Sequence, residues 1–160
     1  MSLFGKISLI ACLLLPLPAM AEIAVLIHGY HSSAAAWEKS GVSSILQENG
    51  WSRAGLYTTA GPVVQFLPAP ESTAENQVFV IDLPSEAPIA LQAGLLTMAL
   101  NDIQLRYPDE PITLIGHSAG AIIARTALVR GAASGVVRLI SVAGPNLGTE
   151  RTIQALNATD

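Results

Sequence analysis

The sequence predicts an α/β fold: a three-layer sandwich in which a mainly parallel sheet carries helices on both faces. Three observations predict it. Short apolar runs recur at residues 23–27, 78–81, 112–115 and 136–142, the third broken by Thr113 and the fourth by Arg138 and Ser141, and the continuous first run suits a strand buried on both faces. Segments of helical periodicity separate most of these runs, and strand–helix alternation is the pattern of parallel crossover units. The third run leads straight into Gly116-His117-Ser118-Ala119-Gly120 and then into a helical segment, a strand–turn–helix junction with glycine on both sides of the turn.

Residues 1–21 read as a signal peptide. Lys6 supplies a positive start, residues 7–15 an apolar run, and Ala19-Met20-Ala21 a small-x-small cleavage site. The run is far shorter than the ~20 residues a bilayer requires, and Pro16 and Pro18 interrupt it. The lone cysteine, Cys12, stands in Leu9-Ile10-Ala11-Cys12, a weak match to a lipidation box, and falls in the peptide expected to be removed. The mature chain is then expected to hold no disulfide or thiolate metal site, to reach the periplasm or the medium, and to comprise one domain over residues 22–160 with no transmembrane segment.

Along that domain the first strand, residues 22–27, ends at His28-Gly29. Ser32 or Ser33 caps a helix carrying Ala34, Trp37, Val42, Ile45 and Leu46, and Asn49-Gly50 stops it. Residues 51–77, with Gly61-Pro62, Pro68 and Pro70, read as a long surface loop with room for a short strand at 63–67. The second strand, 78–81, ends at Asp82, which turns the chain or caps the next segment. Pro88 opens a helix with Leu91, Leu95, Met98 and Ile103 on one face, broken at 107–111. The third strand is 112–115. A helix over 119–130 stops at Gly131, and 136–142 is the fourth strand.

Composition narrows the function classes. The 160 residues are about half apolar and only 12% charged, enough for a packed core. The formal charge is −4 and the eight Lys and Arg form no stripe, which excludes nucleic acid as a partner.

The glycine-flanked serine carries the chemistry. A serine hydroxyl is a poor nucleophile until it is exposed, oriented and given a base, and a strained turn between strand and helix exposes it. Gly116 and Gly120 are needed because neighbouring segments pass too close for side chains, and His117 sits in the turn with its ring directed elsewhere. The helix behind Ser118 aims its free amides at a developing oxyanion, with the Ala119 N–H as one donor. Gly29 lets the chain turn close to the site, which makes the Tyr30 N–H the second donor; His28 holds that turn by hydrogen bonds.

These residues resemble the α/β-hydrolase superfamily, in its lipase/esterase-like branch with a short His-Gly loop. The resemblance rests on residues 23–30, on Leu114 through Gly120, and on Ser141-Val142-Ala143-Gly144-Pro145-Asn146-Leu147-Gly148-Thr149. It implies a strand order with 78–81 at one edge, and then the first, third and fourth strands. It further implies hydrolysis of small-molecule or lipid carboxylic esters, with no metal or organic cofactor.

In that superfamily the acid and the histidine come after the serine, whereas here the histidines are His28, His31 and His117. Chain order argues against His31 as the base, and neither Glu150 nor Asp160 is supported as the acid. Residues 136–142 would form an apolar exposed edge, and residues 152–160 open a further helix, so C-terminal strands are expected beyond Asp160. The alternative is a non-catalytic binding protein on the same fold.

Overall fold

A computed structural model describes residues 21–70, 74–132 and 134–150. The signal peptide, except for Ala21, and residues 151–160, including Asp160 and the expected last helix, lie outside the described residues.

Six strands form one sheet: β1 (Ile23–Ile27), β2 (Trp51–Ala60), β3 (Val63–Pro68), β4 (Asn76–Ile81), β5 (Ile112–His117) and β6 (Val136–Val142). Their spatial order is β3-β2-β4-β1-β5-β6, with β2–β3 the antiparallel pair and the other neighbours parallel. Among the described residues the helices that flank it are α1 (Ala35–Lys39), α2 (Val42–Glu48), α3 (Ile89–Arg106) and α4 (Ala119–Val129).

The centre of the sheet explains the unbroken apolar runs. All of β1 is buried between β4 and β5. The pleat sends Ile23, Val25 and Ile27 into a core with Leu96, Leu100 and Ile103 of α3 and Ile123 of α4. It sends Ala24 and Leu26 to the other face, into a core with Trp37 of α1 and, at its margin, Val42 and Leu46 of α2. Each face of the strand therefore meets its own helical layer, the expected three-layer arrangement.

Five expectations are corrected. Residues 51–77 are not a loop: Gly61, at φ +62°, and Pro62 join β2 and β3 as a hairpin that extends the sheet. The strand at 78–81, observed as β4, is consequently interior rather than an edge. The helix expected from Ser32 or Ser33 through Leu46 is two helices, because Gly41 takes the left-handed region at φ +79° and restarts the chain as α2. Neither serine caps α1. Instead the Ala34 N–H at its start donates to Asp82 Oδ1 at 2.8 Å. On α3 the buried face runs through Leu95, Leu96, Ala99, Leu100 and Ile103, whereas Leu91 and Met98 are exposed.

The hairpin is tied to α3 by a polar cluster. Tyr57 Oη donates to Asp102 Oδ2 at 2.6 Å, Arg106 Nε donates to the same oxygen at 2.8 Å, and the guanidinium lies 4.6 Å from the centre of the Phe66 ring. Burial, and then the bond to Asp102, push the Tyr57 phenol well above its ordinary range; the Arg106 hydrogen bond is the main reason the Asp102 carboxyl is held down. At the opposite edge β6 is largely open, with Val137 66% exposed and Ile140 and Val142 exposed as well.

Candidate active site

The site is built where β1 and β5 end side by side. Ile27 of β1 is level with Gly116 of β5, so the turn after one strand lies against the turn after the other. Ser118 caps α4 with φ +53° and ψ −122°, a conformation that costs a non-glycine residue ~1–3 kcal/mol and persists only when the surroundings impose it. They do impose it. The Ser118 N–H donates to Val142 O at 2.8 Å, fastening the turn to the end of β6, and the Ala121 N–H donates to Ser118 O at 3.1 Å.

The flanking glycines are required by close approach. A Cβ on Gly116 would lie 2.5 Å from both the nitrogen and the Cα of Ala121. One on Gly120 would lie 2.5 Å from His28 O and closer still to Ile27 O. The sequence-predicted crowding thus has named partners, all of them backbone. Gly29 is the third such position, with a Cβ there falling 3.0 Å from Ser118 Cβ and 3.1 Å from His117 O. The chain after β1 passes directly over the serine.

Two amides are left available beside it. The Ala119 N–H is the first of α4 and has no acceptor within its own helix. Tyr30 comes directly after Gly29, and among the described residues its N–H donates to no other group.

His28 is buried and has both ring nitrogens engaged. Leu83 N–H donates to Nε2 at 3.1 Å, which assigns the proton to Nδ1, and Nδ1 lies 2.9 Å from Gly29 O as its donor. The 3.4 Å approach of Asp82 Oδ1 to Nε2 is therefore a proximity and not an ion pair. His117 is exposed, its ring edge-on to Trp37 with centroids 6.5 Å apart. His31, at φ +50°, packs edge-on to the Tyr30 ring and places Nδ1 3.5 Å from Glu86 Oε1. With Ser32, Ser33, Lys39 and Ser85 the His31–Glu86 pair lines an open polar depression beyond the ends of β1 and β4. Among the described residues no histidine hydrogen-bonds the Ser118 hydroxyl, and no three His, Cys, Asp or Glu side chains converge as metal ligands.

Sequence reasoning missed Glu86 and the anchoring carbonyl of Val142. Glu86 lies in an irregular turn without periodicity, and a backbone acceptor leaves no mark in the sequence. Glu150, at the end of the described residues, is exposed. The segment after β6 packs back on the site: a Cβ on Gly144 would meet Ala121 Cβ at 2.7 Å, and Asn146 Nδ2 donates to Gly144 O at 3.2 Å.

No family model and no curated protein sequence matches the chain. Solved structures do. Bacillus licheniformis lipase BlEst2 in its mature form is 22% identical, with 89% of this chain matching 48% of that one at a TM-score of 0.63. A candidate cell surface hydrolase from Lactobacillus plantarum is 18% identical over 79% of this chain and 54% of its own, at 0.62. A gene product of Listeria innocua is 19% identical over 74% and 48%, at 0.61. The chain spans about half the length of these structures. Its sheet order, its helical layers and these similarities together show an α/β-hydrolase-like fold.

Proposed function

We propose that the protein is an exported serine hydrolase of carboxylic esters, esterase- or lipase-like, acting on small-molecule or lipid esters. Ser118 Oγ attacks the ester carbonyl and the N–H groups of Tyr30 and Ala119 hold the oxyanion of the tetrahedral intermediate. Its collapse expels the alcohol and leaves an acyl-serine, which water cleaves to the free acid and serine. His28 and Gly29 keep the Tyr30 amide in place, while Gly116, His117 and Gly120 form the turn. The reading requires no metal or organic cofactor. The observation that carries it is Ser118 itself, held at positive φ with Gly29 against its Cβ. Lipase and hydrolase structures among the similar folds support the reaction class.

Among the described residues no histidine is placed to serve Ser118 as its base: both nitrogens of His28 are committed, His117 turns to Trp37, and His31 lies against Tyr30 and Glu86. The same observation favours a second reading, a binding protein that keeps the turn without catalysis. A fluorophosphonate probe separates them, applied to this chain and to the product of its full reading frame. Ser118 should displace fluoride and become phosphonylated in the full product, and Ser118→Ala should abolish the label. An unlabelled full product would refute the hydrolase and leave the binding protein. Export is tested independently: the protein recovered outside the cytoplasm should begin at Glu22, after removal of residues 1–21.

A further inference from the structure

The outer face of α3 is unlike a solvent face. Over Ile89–Arg106 the charged residues are Asp102 and Arg106, and they are paired with each other at 2.8 Å. The exposed arc instead reads Leu91, Gly94, Met98, Asn101 and Leu105, with Leu91 51%, Met98 45% and Leu105 83% exposed. Their spacing of three and four is that of a helix-packing seam, and a helix without a charged outer stripe is normally covered. Gly94 points the same way. A glycine inside an exposed helix is less favourable than alanine, yet a Cβ there would meet nothing within 4 Å. No contact among the described residues requires it, whereas close approach of another helix would.

We propose that this face of α3 is a homodimer interface, with α3 of a second copy packed antiparallel across a two-fold axis at Met98. The stripe is self-complementary about that residue: Leu91 faces Leu105 of the other copy, and the small Gly94 faces the amide of Asn101. Such a patch satisfies the requirement of an isologous contact. The ends complement each other as well. Asp109 and Glu110 lie just past the carboxyl end of α3, while Arg130 reaches its amino end, where Nη1 donates to Ala90 O at 3.3 Å. Antiparallel packing brings those acids beside that arginine and opposes the helix dipoles favourably. A lipid surface fits less well, because the stripe has neither the cations nor the aromatic side chains of interfacial helices.

Sedimentation of the purified chain should show a dimer. Met98→Glu sets two carboxylates against each other across the axis and should weaken association roughly a hundredfold; Gly94→Gln, a better helix former but a bulky one, should weaken it about tenfold without lowering the melting temperature. Val137→Lys on the open edge of β6 should leave the dimer intact. In a Cys12→Ser background, Met98→Cys should cross-link to itself on oxidation, while Leu91→Cys should not. A monomer at high micromolar concentration overturns the proposal. So does a dimer that survives Met98→Glu, one that dissociates with Val137→Lys, or a monomer that instead sediments with neutral phosphatidylcholine vesicles.

Discussion

Gly120→Ala is the sharpest test of the strand–turn–helix elbow at Ser118. The added methyl has no room: the atoms in its way, Ile27 O and His28 O, are backbone at the end of β1, which is buried and paired on both sides. A flexible side chain could swing aside; these carbonyls cannot move without disturbing the central strand. Overpacking in a rigid core costs typically ~1–3 kcal/mol, and two fixed backbone obstacles put this case near ~3. At about 3–4 °C per kcal/mol for a chain of this size, the melting temperature should fall by roughly 10 °C. Gly29→Ala is the internal comparison. Its nearest neighbours stand at 3.0 and 3.1 Å, one of them the Ser118 Cβ, so it should cost only ~1 kcal/mol but sharply reduce Ser118 labelling. Thermal unfolding monitored by circular dichroism measures both. If Gly120→Ala melts within about 3 °C of the parent, or Gly29→Ala is the more damaging of the two, the packing described for the turn is wrong.

The same geometry sets two further outcomes. Ser118→Gly removes the hydroxyl and relieves the strain at φ +53°, so labelling should vanish while the melting temperature rises by about 3 °C, corresponding to ~1 kcal/mol; a fall in melting temperature would contradict the strain. The Tyr57–Asp102–Arg106 cluster sets a pH dependence at both ends. Asp102 is depressed in the folded state, so its contribution is present above the unfolded pKa of about 4 and lost as pH falls below it. The Tyr57 phenol is raised, so its contribution is present below about pH 10 and lost as pH rises beyond it. Tyr57→Phe should flatten the alkaline limb of a stability–pH profile and weaken the acid limb; an unchanged profile would remove the cluster as its source.

Legibility in the sequence tracks burial. β1, β4 and β5 are readable because strands in the parallel centre of a sheet show as nearly unbroken apolar runs; β6 is the exception, an open edge strand that is readable from its largely apolar sequence. β2 is not, because Ser52, Arg53, Gly55, Thr58 and Thr59 dilute its apolar signal and its half-buried residues make no run. The Gly61-Pro62 pair reads as loop punctuation, although a two-residue connection containing glycine is also a hairpin signal. On α3 the apolar residues form two stripes, one buried and one exposed, and periodicity alone does not say which faces the sheet. The elbow is legible because its demands are local: glycines at fixed steps around a serine, between strand and helix. The contacts from Asp82 to Ala34 and from Glu86 to His31 are not, since each joins loops about fifty residues apart and neither belongs to a repeating pattern.

The position of β1 also bears on how the chain is made. Its five apolar residues are synthesised before either neighbour, and the second neighbour, β5, begins roughly ninety residues downstream. At ~5–20 residues per second, that interval is about 5–20 seconds of ribosome time. Throughout it the edge of β1 that pairs with β5 is open. The segment that ends up most deeply enclosed is thus, during translation, the one most open to mispairing, and parallel contacts of this sequence separation form slowly. Slowing elongation between β4 and β5 should therefore lower soluble yield more than an equal delay after β6.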